Sequence, residues 1–167
     1  MISAPMSKDR IEKRVLLRAT IKKVWRALSD SAEFGRWFGV RFKEEFKPGA
    51  RIRGVITPTT VDAQVAKAQK PYEGRPFDIT IDQMQPERQF SFRWHPAATE
   101  PEVDYSFEPP TLVVFALEEV PNGVMLRITE SGFEMIPFAR RAKAYQANEQ
   151  GWAMMVKVLD QYLAAAR

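Results

Sequence analysis

The sequence predicts an α+β fold in which a curved antiparallel sheet of about six to seven strands wraps around a long C-terminal helix. Two patterns lead to this prediction. A strand-like opening at Ile11–Ala19 feeds a short helix, and an amphipathic segment at Phe138–Ala166 closes the chain. Most residues between them alternate apolar and polar with period two, which is typical of half-buried antiparallel strands. The apolar faces of these strands would cover the apolar stripe of the last helix.

Length and composition favour a single globular domain. A chain of 167 residues buries roughly two-thirds of its unfolded surface, so no second domain is needed. We expect residues 1–9 to form a flexible N-terminal arm and residues 10–167 to form one domain. The start of the chain lacks the apolar core of a signal peptide, and no apolar run reaches about 18 residues. A cytoplasmic protein without stable membrane insertion is therefore expected.

The charge and residue inventory excludes several functions. The 25 Lys and Arg against 21 Asp and Glu give a net charge of +4 that is dispersed along the chain, so nucleic acid is not an expected partner. With no cysteine and one histidine, thiolate and multi-histidine metal sites are excluded. No phosphate-binding loop or dinucleotide fingerprint occurs, so we expect no cofactor and no metal.

The opening segment predicts a strand followed by two short helices. Thr20 is a suitable N-cap for a helix at Ile21–Ser29, whose apolar residues recur at helical spacing. A second helix is predicted at Ala32–Phe38, and Gly39 stands where a left-handed C-terminal residue is expected. These two helices would connect the first strand to the rest of the sheet.

The middle of the chain predicts six further strands. Turn signals separate most of them, and Asn122-Gly123 is the strongest hairpin signal. Two connections, Pro58–Pro76 and Pro96–Thr111, are too long for simple turns, and long loops in compact domains are usually functional or mobile. The predicted strands are Val40–Phe46, Ala50–Thr57, Phe77–Gln85, Gln89–His95, Leu112–Val120 and Val124–Phe133.

Five short segments together resemble a known family. They are Lys23–Leu28, Arg36–Phe38, Phe90–Pro96, Thr129–Phe133 and Glu149–Trp152. In this order and spacing they are similar to bacterial members of the SRPBCC superfamily, in the group named after the activator of the 90-kDa heat-shock protein ATPase (homologue 1-like). The resemblance covers about Arg10 to Leu163. It implies the helix-grip fold of START domains and birch-pollen allergens, with an apolar cavity between sheet and last helix.

The inward parity of the strands selects the sheet residues that would line such a cavity, and apolar residues of the helices would face them. Ligand sites are mostly apolar clefts with few polar groups, and a cavity of about 300 Å³ or more would support binding. Filling of an ordinary core is the alternative for the same residues. The predicted ligand-binding residues are Trp25, Phe38, Phe42, Arg53, Ile79, Phe92, Trp94, Phe115, Leu117, Glu130, Trp152 and Met155.

Glu130 is the most distinctive candidate. It shares parity with Leu126 and Ile128, so its carboxylate should point to the concave side, where a lone charge costs several kcal/mol. It could recognise a ligand or transfer a proton. The alternative is a structural role near the strand end, in which Glu130 pairs with Arg53 or caps a backbone amide.

Three functions follow as hypotheses. The first is non-enzymatic binding of an apolar or amphipathic small molecule, lipid-like or aromatic. The second is an enzyme of the cyclase, aromatase or hydrolase kind, in which Glu130 works with Tyr105 or His95; the parity of His95 places it on the outer face. The third is a protein-interaction or co-chaperone-like module. A homodimer through an edge strand or the long loops is left open.

Overall fold

The computed structural model describes residues 9–98, 100 and 102–165. Apart from Asp9, the predicted N-terminal arm lies outside the described residues, as does Ala166 at the end of the predicted last helix. In the described residues the chain forms the following strands and helices, in order: β1 (Arg10–Leu17), α1 (Ile21–Ser29), α2 (Ser31–Phe38), β2 (Val40–Phe42), β3 (Arg51–Ile52), β4 (Gly54–Ile56), α3 (Ala63–Gln69), β5 (Ile79–Gln85), β6 (Gln89–Trp94), β7 (Thr111–Val120), β8 (Gly123–Ser131) and α4 (Phe138–Ala165).

The main sheet has six antiparallel strands in the order β1-β8-β7-β6-β5-β3, so the predicted curved sheet and long C-terminal helix are confirmed. The hairpin between β7 and β8 closes where Val120 faces Gly123. Gly123 adopts φ 147°, and a Cβ at this position would lie 2.2 Å from the Leu17 carbonyl oxygen. Glycine therefore allows β1 to approach the hairpin closely.

Both connector helices begin and end at the residues that local chemistry favours. The Thr20 hydroxyl accepts the Lys23 amide hydrogen at the start of α1. The Asp30 carboxylate accepts two amide hydrogens at the start of α2, which satisfies donors that have no partner inside the helix. Gly39 follows α2 with φ 97°, the left-handed conformation that terminates helices.

The predicted strand at Ala50–Thr57 divides at Arg53. Its first half, β3, joins the main sheet beside β5, whereas its second half, β4, pairs with β2 in a separate two-stranded sheet. Ile52 and Gly54 are buried, and the Arg53 side chain is 66% exposed. The prediction that Arg53 points inward was therefore wrong, because the buried parity belongs to its two neighbours.

Aromatic rings fill the interior between the sheet and the helices. The Phe34 ring on α2 lies 6.0 Å from Phe90, 6.2 Å from Phe92 and 6.1 Å from Phe115, centroid to centroid. All four side chains are 0–1% exposed, and such pairs add stability beyond their burial. These rings occupy much of the volume where the family resemblance predicted a ligand cavity.

Candidate functional site

Glu130 lies at the centre of a buried hydrogen-bond network on β8. Its side chain is fully buried. Oε2 accepts hydrogen bonds from Trp94 Nε1 at 2.7 Å and from Thr111 Oγ1 at 2.5 Å. Oε1 accepts one from Trp152 Nε1 at 2.8 Å, and the Asn148 side-chain amide donates to both oxygens at 2.9 and 3.0 Å. The two indoles and the amide NH₂ group can only donate, so both carboxylate oxygens act as acceptors in this network.

None of the hydrogen-bond partners of Glu130 carries a charge. Indole, hydroxyl and amide groups are all uncharged donors. The predicted partner Arg53 instead pairs with Glu44 at 3.7 Å on the surface, where water solvates the guanidinium. The predicted pairing of Glu130 with Arg53 was therefore wrong, and uncharged donors from four other residues provide the hydrogen bonds.

The network joins the long helix to three strands of the sheet. Trp94 belongs to β6, Thr111 to β7 and Glu130 to β8, whereas Asn148 and Trp152 belong to α4. Hydrogen bonds to a charged acceptor are stronger than those between neutral groups. Glu130 therefore sets the position of the middle of α4 against the sheet.

A small cleft lies beside this network, between α4 and the end of β6. Its volume is about 70 Å³, well below the 300 Å³ or more that we took as support for ligand binding. Three of the four residues that donate to Glu130 contribute to its wall, so the carboxylate lies one side chain behind the surface of the cleft. The lining residues are Phe38, Trp94, Asn148, Gly151, Trp152 and Met155.

Gly151 is an unusual residue on the helical side of the cleft. It lies inside the 28-residue helix α4, where glycine costs about 1 kcal/mol relative to alanine. A Cβ at this position would meet no neighbouring element within 4 Å, whereas a Cβ at Gly35 would lie 2.0 Å from the Val40 carbonyl oxygen. Close packing thus explains Gly35 but not Gly151, which lines the cleft with open space in front of it.

The structure brings together some of the predicted ligand-binding residues and separates others. Phe38, Trp94, Trp152 and Met155 line the cleft, with Glu130 behind them. The others lie elsewhere: Ile79, Phe92 and Phe115 are buried in the core, Trp25, Phe42 and Leu117 are half-buried against it, and Arg53 is exposed.

Tyr105 and His95 belong to the segment between β6 and β7. Arg140 at the start of α4 holds this segment, since its guanidinium bonds both carboxylate oxygens of Glu108 and lies 4.8 Å from the centre of the Tyr105 ring. The His95 Nε2 atom is 2.9 Å from the Glu108 carbonyl oxygen. Among the described residues, neither Tyr105 nor His95 contributes a hydrogen bond to Glu130.

Sequence reasoning missed Thr111, Asn148 and Gly151. Asn148 and Trp152 are four residues apart and therefore lie on one face of a helix. A polar asparagine and a glycine on the apolar side of α4, both with low helix propensity, were the available signal. Thr111 carried no such signal, because only the pairing of β7 with β8 and β6 brings it to Glu130.

A second groove lies on the outer side of the connector, next to α2 and β2. Its volume is about 290 Å³. Much of its rim consists of exposed side chains, Arg36, Arg41 and Thr60 among them. This groove is a surface feature and contains one predicted site residue, Phe42.

The grip of a curved sheet on a long helix, with an aromatic-lined cleft against that helix, defines a START-like helix-grip domain. The family model described as Activator of Hsp90 ATPase homolog 1-like protein matches residues 18–164. The chain belongs to this family, as the sequence resemblance predicted. A comparison with curated proteins gives no match.

Solved structures confirm the fold. MLL2253 from Mesorhizobium loti is 21% identical, with 95% of this chain and 98% of that chain covered and a TM-score of 0.68. BPP1335 from Bordetella parapertussis is 23% identical, with 98% and 78% covered and a TM-score of 0.66. NE0264 from Nitrosomonas europaea is 14% identical, with 98% and 100% covered and a TM-score of 0.69. At these identities the similarity concerns the fold alone.

None of the helices within residues 9–98, 100 and 102–165 is long and apolar enough to cross a bilayer.

Proposed function

We propose that this protein is a non-enzymatic, cytoplasmic binding module that holds a small molecule, or one end of a larger one, in the cleft between α4 and β6. The observation that carries the proposal is Gly151. A glycine inside a long helix costs stability, and no neighbouring element requires it there. Retaining it at the cleft wall is expected if the space in front of it serves to hold a ligand.

The wall of the cleft indicates the character of that ligand. Phe38, Trp94, Trp152 and Met155 provide an apolar and mainly aromatic surface, and Asn148 adds one polar side chain. A cavity of about 150 Å³ holds benzene, or about 25 Å³ for each non-hydrogen atom. At that rate the 70 Å³ of the cleft admits about three non-hydrogen atoms. An amphipathic or aromatic compound would therefore place one end in the cleft and leave the remainder outside.

The surroundings of Glu130 support binding over catalysis. General acid–base chemistry of the predicted kind needs a second titratable group within hydrogen-bond reach. The four residues that donate to Glu130 are tryptophan, threonine and asparagine side chains, which do not titrate near neutral pH. Hydrogen bonds to the buried carboxylate hold these side chains in place, and three of them form part of the cleft wall.

A matched pair of variants at Gly151 tests the proposal. Gly151→Ala adds one methyl group, whereas Gly151→Leu fills the cleft without a clash in the packed core, because the Cβ position is open. The wild type and both variants would be screened against small amphipathic and aromatic compounds by thermal shift, and hits verified by native mass spectrometry. Compounds that bind the wild type, lose part of their affinity with alanine and lose all of it with leucine would support the proposal. Hits unaffected by leucine, or a complete absence of hits, would contradict it.

A protein-interaction role is the second candidate, and exposed apolar side chains favour it. Phe107 is 88% exposed, Phe138 86% and Met135 60%. The contact between Arg140 and Glu108 places the segments that bear these residues at one end of the molecule. If this end mediates self-association, light scattering should give a dimer mass that the double variant Phe107→Ser, Phe138→Ser reduces to that of a monomer.

A further inference from the structure

In its ionised form, Glu130 places a negative charge directly behind the cleft. Its carboxylate is fully buried, and none of its four hydrogen-bond partners carries a positive charge. Hydrogen bonds from neutral donors lower the cost of burying the carboxylate but leave its charge in place. In a region of low dielectric constant such a charge acts on neighbouring groups with little screening.

The cleft is the region that this charge reaches first. Trp94, Asn148 and Trp152 donate to the carboxylate and also line the cleft. No charged side chain is among the lining residues. A group held in the cleft would therefore be within a few ångströms of an anion, without a cation of the cleft wall competing for it.

The aromatic rings around the cleft also favour a positively charged group. The centroids of Trp94 and Trp152 are 5.6 Å apart, and each lies 5.9 Å from that of Phe38. Both indoles donate their N–H to the carboxylate, which polarises the rings and raises their electron density. Electron-rich rings attract organic cations, most strongly where water is excluded. An anionic head group would be repelled, and a neutral one would gain only apolar burial.

We propose that the end of the ligand held in this cleft is an organic cation, an alkylammonium or quaternary ammonium group. This inference rests on the proposed function of the cleft and names its ligand class. The nitrogen and two methyl carbons of a trimethylammonium group are three non-hydrogen atoms, about the size that the volume of the cleft admits, and the rest of the ligand would lie at its mouth.

The test compares choline chloride with 3,3-dimethylbutan-1-ol, its neutral analogue of the same shape, at matched ionic strength. Binding would be followed by NMR through the indole N–H signals of the four tryptophans. We expect choline to bind about tenfold more tightly than the neutral alcohol, as a desolvated cation–π contact beside an anion requires. It should shift the signals of Trp94 and Trp152, with that of Trp37, bonded to the Ala27 carbonyl, as an internal reference.

Two variants test whether binding occurs in the cleft and whether the preference for the cation depends on Glu130. Gly151→Leu should abolish binding of both compounds, and Glu130→Gln should remove the preference for the cation. Because Glu130→Gln lowers stability, the comparison in the wild type is decisive by itself. Equal affinities, or tighter binding of the alcohol, would overturn the cation assignment. If neither compound bound while other compounds bound at Gly151, the cation assignment would fail and the proposed function would stand. If no compound of any kind bound at Gly151, both proposals would be overturned.

Discussion

Replacing Glu130 by glutamine tests the network that joins α4 to the sheet. Trp152 donates to Oε1 and Trp94 donates to Oε2. Indole N–H groups donate and never accept, and a glutamine side chain offers one oxygen and one NH₂ group. Whichever way the amide is turned, one indole N–H faces another donor. Thr111 can rotate its hydroxyl and Asn148 can turn its amide, but the tryptophans have no such freedom.

The expected loss of stability follows from this mismatch. A buried donor without a partner costs about 1–3 kcal/mol, and the remaining hydrogen bonds lose the strength that a charged acceptor gave them. Removal of the buried charge offsets part of this loss. We therefore expect Glu130→Gln to lower the free energy of unfolding by about 2–3 kcal/mol at pH 7, a large effect for a change of one atom.

Urea denaturation followed by far-UV circular dichroism would measure the difference, with an unchanged m-value as evidence that both proteins unfold in the same way. Glu134→Gln, the same substitution at an exposed position, is the matched control and should change stability by less than about 0.5 kcal/mol. If Glu130→Gln proved as neutral as this control, the assignment of Glu130 as the anchor of α4 would be refuted.

Three further predictions concern helix stability and the pH dependence of folding. Gly151→Ala should raise the free energy of unfolding by about 0.5–1 kcal/mol in urea melts, and a decrease would show that the open Cβ position is misassigned. Burial raises the pKa of Asp82, but hydrogen bonds from Arg93 and Ser91 and the charge of Arg93 outweigh it, so the pKa is lowered overall. Asp82→Asn should therefore lower the free energy of unfolding by about 1 kcal/mol above pH 3.9 or so. The difference between wild type and variant should disappear as pH falls through the lowered pKa of Asp82. A difference that does not change with pH would contradict a stabilising role for the ionised carboxylate. Burial and the hydrogen bond that Tyr162 donates to Glu33 raise the pKa of Tyr162 to about 12. The contribution of Tyr162 to stability is present below pH 10 or so and is lost as pH rises toward 12. In an alkaline titration followed by tyrosine absorbance, Tyr162→Phe should remove the step at the highest pH. Ionisation of all tyrosines of the wild type together near pH 10 would contradict this prediction.

Local patterns in the sequence determined the elements of this fold. Helix α1 lies at the predicted residues, and Thr20 and Gly39 have the predicted roles at helix ends. These predictions succeed because capping, helical spacing and strand alternation depend on residues within a few positions of one another. The inward direction of Glu130 follows from the same alternation along β8, which has no break in its register with β7.

The alternation of inward and outward side chains gave a wrong prediction at Arg53, where the chain passes from one sheet to the other. At Arg53 the chain leaves β3 and enters β4, and each strand pairs with a different partner. Side-chain parity holds only along one continuous strand. A division of this kind depends on pairing with β2 and β5, which a local pattern does not contain.

Only the tertiary structure decided the partners of Glu130 and the size of the cleft. Thr111, Asn148 and Trp152 lie 18 to 22 residues from Glu130 in sequence and meet it through strand pairing and the path of α4. In the core beside the cleft, Phe34, which projects from α2, packs among three phenylalanines of the sheet. The direction of a side chain is a local property of the backbone, whereas the space left in front of it is the difference between the volume enclosed by several elements and the volume of all the side chains that they contribute.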